Sequence, residues 1–358
     1  MKILTIIGAR PQFIKAAVLS RIISEQNDVE EVLIHTGQHY DSNMSDIFFE
    51  EMNIPKPNYN LQVKSKFHGE MTGKMMAEIE KVAIQENPDW ILVYGDTNST
   101  LAGALVASKL HIKLAHVEAG LRSFNNKMPE EINRILTDRV SNILFCSTDT
   151  AVKNLTKEGF NEFEDKKIFK TGDIMLDASI HYASKSRKPD FEIPSKFILC
   201  TIHRADNTDN SQKLLTIFES LNEIGFDTKI VLPIHPRTKF LLSQLKPDYE
   251  KEYPNVLFCE PFGYFEMIWC LQHAKYVITD SGGLQKEAYF FKKLCITLRD
   301  ETEWTELVDY GYNVLSRIEK NEILRNYRLL DTIKKDFNEE LYGNGKTGEL
   351  ILRELQNY

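Results

Sequence analysis

Residues 90–120 read WILVYGDTNSTLAGALVASKLHIKLAHVEAG, and this stretch decides the fold. Trp90–Tyr94 is an unbroken apolar run of strand length, Leu114–Val117 is one interrupted only by His116, and a helix is predicted between them from near Ser99. Strands buried on both faces read as such runs, and a strand–helix–strand unit joins parallel neighbours. The same alternation continues on either side. In the first half it predicts further strands at Ile3–Ile7, Val32–His35 and Ile143–Cys146. In the second half it predicts Phe197–Ile202, Ile230–Ile234, Val256–Cys259, Tyr276–Thr279 and Cys295–Leu298. Amphipathic stretches such as Met75–Ile84 and Gln212–Ile224 predict helices between strands. Two such sets imply an α/β chain of two doubly wound domains.

A length of 358 residues suits two cores better than one. Polar Ala183–Asp190 is the linker candidate, and the division is set slightly earlier, giving domains 1–172 and 173–347. No apolar run reaches the length of a membrane span. The opening Met1–Ile7 lacks the basic-then-apolar pattern of a signal peptide, so a cytoplasmic protein is expected. Five cysteines without CxxC spacing fit a reducing compartment and argue against a disulfide framework or a zinc site. A net charge of −8 argues against nucleic acid as the main partner. Local cations and helix ends still permit an anionic small ligand.

In open α/β sheets ligands bind beyond the carboxyl ends of strands. Gly8-Ala9-Arg10-Pro11, Gly95-Asp96 and Glu118-Ala119-Gly120 occupy such positions in the first half. His203-Arg204, His235-Pro236-Arg237 and Asp280-Ser281-Gly282-Gly283 do so in the second, which predicts a site in the cleft between the domains. Arg10 and Lys15 are candidate diphosphate ligands, against the alternative of a plain strand-to-helix turn. Ser281, Gly282 and Gly283 open a helix in the manner of a phosphate cradle, with Glu287 one turn on for ribose hydroxyls. Singly, Asp96 reads as a helix cap and Glu130-Glu131 as an ordinary first helical turn. Together with Glu118 they read as an acid/base cluster. His203 and His235 each follow a strand, and no histidine spacing suggests a metal. No GxGxxG follows a strand, so no nicotinamide cofactor is expected. Gly343-Asn344-Gly345-Lys346-Thr347 only imitates a phosphate loop, since Glu340 stands where the first glycine belongs and no strand precedes it; it reads as a turn into a last helix, Gly348–Gln356.

With these residues in place the chain resembles the non-hydrolysing UDP-N-acetylglucosamine 2-epimerase family along nearly its whole length. The resemblance is carried by Gly8–Pro11 with Lys15, Gly37-Gln38-His39, Gly95-Asp96-Thr97, His116–Arg122 and Pro129–Arg134. It continues through His203-Arg204, Asp280–Gly283 and Arg299–Glu303. It implies two Rossmann-like domains of the glycosyltransferase-B type, with residues 348–358 packing back on the first. It also implies catalytic roles for Asp96, Glu118, Glu130 and His203, and nucleotide or substrate contacts for Arg10, Lys15, Arg134, Ser281, Gly282, Gly283, Glu287 and Arg299. Homodimers are usual in the family, and in some members a second UDP-sugar binds at positions matching Gln38, His39 and His235. The expected substrate is a UDP-amino sugar, first UDP-N-acetylglucosamine. Three departures resemble instead the branch acting on UDP-2,3-diacetamido-glucuronate: Gln12, Asp206 within His203–Asn207, and Trp304-Thr305 within Thr302–Glu306. The rival functions are a hydrolysing epimerase, a glycosyltransferase of the same architecture and a non-catalytic UDP-sugar sensor; the carboxylate cluster disfavours the last two.

Overall fold

The computed structural model describes residues 1–38 and 54–358, and of Arg10 the backbone alone. The chain divides into two compact units, Met1–Ala178 with Glu340–Tyr358, and Ser179–Glu339. The crossings thus fall a few residues from 172/173 and 347/348, where the sequence reading set them. The reason is local hydrogen bonding. Asp173 N–H donates to the Tyr342 carbonyl at 2.9 Å, and Asp177 Oδ2 accepts from Gly348 N–H at 2.9 Å, tying both flanking segments to the first unit.

The first unit holds seven parallel strands: β1 Lys2–Ile7, β2 Glu30–His35, β3 Tyr59–Asn60, β4 Trp90–Tyr94, β5 Lys113–Ala119, β6 Ile143–Cys146 and β7 Lys167–Lys170. Their spatial order is β3-β2-β1-β4-β5-β6-β7. The second unit holds β8 Ile198–Thr201, β9 Ile230–Pro233, β10 Val256–Cys259, β11 Val277–Thr279, β12 Cys295–Thr297 and β13 Asn313–Leu315 in the order β10-β9-β8-β11-β12-β13, also parallel. Three strands are missing from the sequence reading. Tyr59–Asn60 has two residues, Lys167–Lys170 runs half-exposed along an edge, and Asn313–Leu315 is short and opens on Asn. None carries the apolar run that betrays a central strand.

Strand order reverses between β1 and β4 in the first sheet and between β8 and β11 in the second. At such a switch point the two outgoing connections leave in opposite directions and open a crevice at the strand ends. Gly8-Ala9 and Gly95-Asp96 leave the first pair, and His203-Arg204 and Asp280-Ser281 leave the second. Each sheet is covered by helices. Leu4, Ile6, Ile91, Val93 and Leu114 pack on the apolar faces of His68–Glu86 and Asn98–Leu110. Ile198, Ile230 and Ile278 pack on Leu214, Ile217, Phe218 and Leu221 of Ser211–Ile224. The helix Thr347–Gln356 buries Ile351, Leu352 and Leu355 in the first unit, where Gly348 lies against Val18 and Ile22 of the Arg10–Ser24 helix. All five cysteines are buried free thiols, and no described helix is long and apolar enough to cross a membrane.

Candidate active site

In the first unit the turn after β1 is built around Gly8, where a Cβ would run into the hydroxyls of Ser99 and Thr36. Gln12, one turn on, locks that turn. Its Oε1 accepts from the Gly8 and Ala9 N–H groups at 2.8 and 3.1 Å. Its Nε2 donates to the Tyr94 carbonyl at 2.7 Å and to Thr97 and Thr100 hydroxyls at 3.0 Å. A glutamate could not do both, which gives the Arg-Pro-Gln departure a structural reason and leaves Gln12 no spare group for a sugar. Pro11 stands in the first turn of the helix whose second turn carries Lys15, buried and ion-paired with Glu118.

Glu118 is held in a conformation its side chain resists. Its φ is +73°, and the β5–β6 register slips between Val117 and Ala119 at a bulge. Left-handed backbone costs an L-residue about 1–2 kcal/mol. The bulge re-aims the Glu118 carboxylate toward Lys15, as bulges beside active sites do. Gly95, also at positive φ (+61°), turns β4 toward Asp96. Asp96 is half-buried, bonded through Oδ2 to Arg134 at 2.9 Å, and its carbonyl accepts from Asn133 Nδ2 at 2.9 Å. Burial raises the Asp96 carboxyl above the ordinary aspartate range; the charges of Glu118 and Glu130 push the same way, while Arg134 and Lys15 oppose them. Glu130 is exposed in the first turn of Pro129–Val140. Its neighbour Glu131 is buried and accepts the Ser123 and Phe124 N–H groups at 3.0 and 2.8 Å, so it shapes the preceding loop and leaves the acid/base cluster to the other three.

In the second unit Asp280 is the organising residue, and it is 0% exposed. Its carboxylate accepts from the His203 and Arg204 N–H groups at 3.0–3.1 Å and from Asn207 Nδ2 at 3.2 Å. It thereby staples the β8 turn to the β11 turn. Asn207 also donates to the Leu298 carbonyl at 3.1 Å, so it too is committed inside the fold. The His203 ring stays 41% exposed with Nδ1 3.7 Å from Asp280, and the His235 ring lies 6.1 Å away. Burial holds the His235 pKa below the ordinary histidine range, helped by His203 and Arg237, and its Nδ1 accepts from Arg237 N–H at 3.2 Å. Ser281 is the N-cap residue of the Gly282–Phe290 helix, with Gly283 facing open space. Gly282 leaves room for the Glu303 carboxylate, itself paired with Arg299 at 2.9 Å. Trp304 Nε1 donates to the Gly282 carbonyl at 3.0 Å, and Lys286 Nζ lies 4.0 Å from the centre of the Trp304 ring. A cavity of about 600 Å³ lined by Arg204, Asn207 and Arg299 opens at these strand ends.

Asp96, Glu118, Glu130, Lys15 and Arg134 are therefore gathered in one unit; His203, His235, Ser281, Gly283, Glu287 and Arg299 belong to the other. Arg134 serves Asp96 and Glu131. Gln38 accepts from Ser99 N–H and Oγ at 3.1 and 2.8 Å, which fixes it on the start of the Asn98–Leu110 helix; His39 and the Arg10 side chain lie outside the described residues. Sequence reasoning missed Asp280 as the staple, although it heads the quoted Asp-Ser-Gly-Gly motif. A buried acid directly after a strand was the available signal.

A family model described as UDP-N-acetylglucosamine 2-epimerase matches residues 21–356. The chain belongs to the UDP-N-acetylglucosamine 2-epimerase family. It is thus an isomerase of the glycosyltransferase-B architecture. It is 53% identical over 359 residues to the UDP-2,3-diacetamido-2,3-dideoxy-D-glucuronate 2-epimerase of Pseudomonas aeruginosa, covering 99% of each chain. It is 44% identical to the UDP-N-acetylglucosamine 2-epimerase of Methanocaldococcus jannaschii, again over 99% of each. The crystal structure of that archaeal enzyme with UDP-GlcNAc and UDP superposes on 100% of both chains with a TM-score of 0.90. The UDP-GlcNAc-bound epimerase of Neisseria meningitidis gives 0.89 at 28% identity, over 100% of each.

Proposed function

We propose that this epimerase interconverts UDP-N-acetylglucosamine and UDP-N-acetylmannosamine by elimination and re-addition of UDP. The observation that carries the reading is Asp96, a carboxyl raised by burial beside two further carboxylates at the β1/β4 switch point. The hydrogen on sugar carbon 2 is not acidic in the ground state. Loosening the anomeric bond builds positive charge on carbon 1 and acidifies it. A carboxylate takes that proton, the C1–O bond breaks with its electron pair leaving on the UDP oxygen, and a C1–C2 double bond forms. In return, the UDP oxygen adds to carbon 1 while carbon 2 is protonated from the opposite face. Asp96, Glu118 and Glu130 handle the protons, with Lys15 beside Glu118. Arg10 and the Ser281–Gly283 turn stabilise the departing diphosphate, Glu287 holds ribose, and His203 assists at the diphosphate or as an acid. The sequence of steps is redox-neutral and uses no nicotinamide. A homodimer in the cytoplasm belongs to the same reading.

The scheme exchanges the carbon 2 proton with solvent. In heavy water, NMR should show deuterium at carbon 2 of both substrate and product. Epimerised but unlabelled sugar would falsify elimination, and free sugar with UDP would point to a hydrolysing enzyme.

A second reading, UDP-2,3-diacetamido-glucuronate as substrate, is favoured by the 53% identical Pseudomonas enzyme and the Trp304-Thr305 departure. That sugar adds a carboxylate and an acetamido group. With the Gln12 and Asn207 amides committed inside the fold, the cations assigned to it are Arg299, which would exchange its pairing with Glu303, and Lys286 over the Trp304 ring. Comparing kcat/KM for the two sugars should reveal a preference of about a hundredfold or more, because a site built for one leaves buried polar groups unpaired with the other. If the glucuronate wins by that margin, it replaces the first substrate and the epimerisation stands.

A further inference from the structure

His116 lies on β5 two residues before Glu118 and is fully buried. Its two ring nitrogens face two different partners. Nδ1 is 2.6 Å from Asp138 Oδ1, and Nε2 is 2.7 Å from the Gly95 carbonyl. The Gly95 carbonyl and the Asp96 N–H belong to one rigid peptide plane, so the imidazole fixes the plane from which Asp96 departs. Asp138 reaches the other carboxylate. Its Oδ2 accepts from Gly120 N–H at 3.1 Å, just past the strained Glu118 bulge, and from Arg122 Nη1 at 2.7 Å. Arg122 is anchored in turn by Glu158 at 2.7 and 2.8 Å. Among the described residues His116, Asp138 and Arg122 form one continuous buried network, and its two backbone ends are the turns carrying Asp96 and Glu118.

We propose that His116, braced by Asp138, is a positioning residue that holds Asp96 and Glu118 in mutual register for proton transfer. The imidazole touches neither carboxylate. It acts through the Gly95 carbonyl on one side and through Asp138 on the Gly120 amide on the other. Displacing a reacting group by about an ångström can cost a hundredfold in rate, so a buried brace matters at this point. The proposal rests on the reading of Asp96 and Glu118 as acid/base groups.

Two substitutions separate the two bonds. The amide nitrogen of asparagine can take the place of Nδ1, and that of glutamine the place of Nε2. His116→Asn keeps the bond to Asp138 and drops the one to Gly95; His116→Gln does the reverse. His116→Asn should lower kcat by about 10- to 100-fold with KM nearly unchanged, and His116→Gln, which keeps the Gly95 bond but loses the Asp138 brace, should be impaired less. The acid limb of the kcat–pH profile should also move in His116→Asn. Asp96 is faced by Arg134 and Glu130 of the Pro129–Val140 helix, Glu118 of β5 and Lys15 of the Arg10–Ser24 helix, and its place among them would change. Equal impairment of both variants, tracking lost thermal stability with an unmoved acid limb, would reduce His116 to packing and overturn the proposal. If His116→Asn does not fold, Asp138→Asn tests the brace from its other end: the same fall in kcat at steady KM is expected, and an unchanged kcat overturns it. Asp96→Asn is assayed alongside. Should it turn over normally, the acid/base reading fails; should it be inactive while His116→Asn is normal, only the brace fails.

Discussion

Asp96→Asn and Glu118→Gln should each lower turnover by roughly two to four orders of magnitude while leaving UDP affinity nearly unchanged. Both substitutions keep size and remove basicity. Asp96 must be ionised to accept a proton, and burial raises its carboxyl, so kcat should fall as pH drops through a range above that of an exposed aspartate. That acid limb should be missing from whatever activity Asp96→Asn retains. Glu118→Gln adds a second effect, because it strips the buried Lys15 of its ion-pair partner. UDP affinity is spared because the diphosphate is assigned to Arg10 and the Ser281–Gly283 turn. Stopped-flow turnover and calorimetric titration with UDP check the two halves separately. Near-wild-type rates in both variants would leave these carboxylates as ion-pair partners of Arg134 and Lys15 and bring back the sensor.

The second large effect is on stability. Asp280→Ala removes a fully buried carboxylate that accepts from the backbone of His203 and Arg204 and from Asn207. The His203 and Arg204 N–H groups are left without an acceptor in a water-poor interior and Asn207 keeps only the Leu298 carbonyl, a loss on the order of 3–5 kcal/mol. Urea unfolding of the variant should show an earlier transition, and UDP binding should weaken, since the same carboxylate holds the β8 turn against the β11 turn. Asp280→Asn, which retains one acceptor oxygen, should lose clearly less. An unchanged urea midpoint for Asp280→Ala would show that water replaces the carboxylate at little cost.

The central strands were legible because a strand buried on both faces must be apolar throughout, and Trp90–Tyr94 or Ile143–Cys146 can be little else. Of the four edge strands only Val256–Cys259 was legible; Lys167–Lys170, for one, is half-exposed and its composition is free to follow solvent. The glycine-bearing turns were legible as turns, since Gly8 and Gly95 announce sharp exits from strands. What each side chain does there was harder. Gln12 read as a departure from the family motif, yet one end of its amide is spent on the neighbouring Gly8 and Ala9 N–H groups and the other on Tyr94, Thr97 and Thr100, more than eighty positions away. Glu131 and Glu130 are adjacent and chemically alike, and only the three-dimensional path of Ser123-Phe124 separates a loop brace from an acid/base candidate. The bulge that turns Glu118 into the left-handed region leaves no trace in composition, because it depends on pairing with β6.

The helix Thr347–Gln356 belongs to the unit that begins at Met1, while Ser179–Glu339 forms a unit of its own in between. During synthesis, then, the middle of the chain is finished first. Domains commonly fold in the order they emerge from the ribosome, but here the earliest strands to emerge wait for the latest helix. Until Ile351, Leu352 and Leu355 arrive, the apolar side of Arg10–Ser24 around Val18 and Ile22 lacks its cover. A nascent chain therefore completes the unit of Asp280 before the unit of Asp96 and Glu118, and lesions in the Thr347–Gln356 helix act on the unit that carries those two carboxylates.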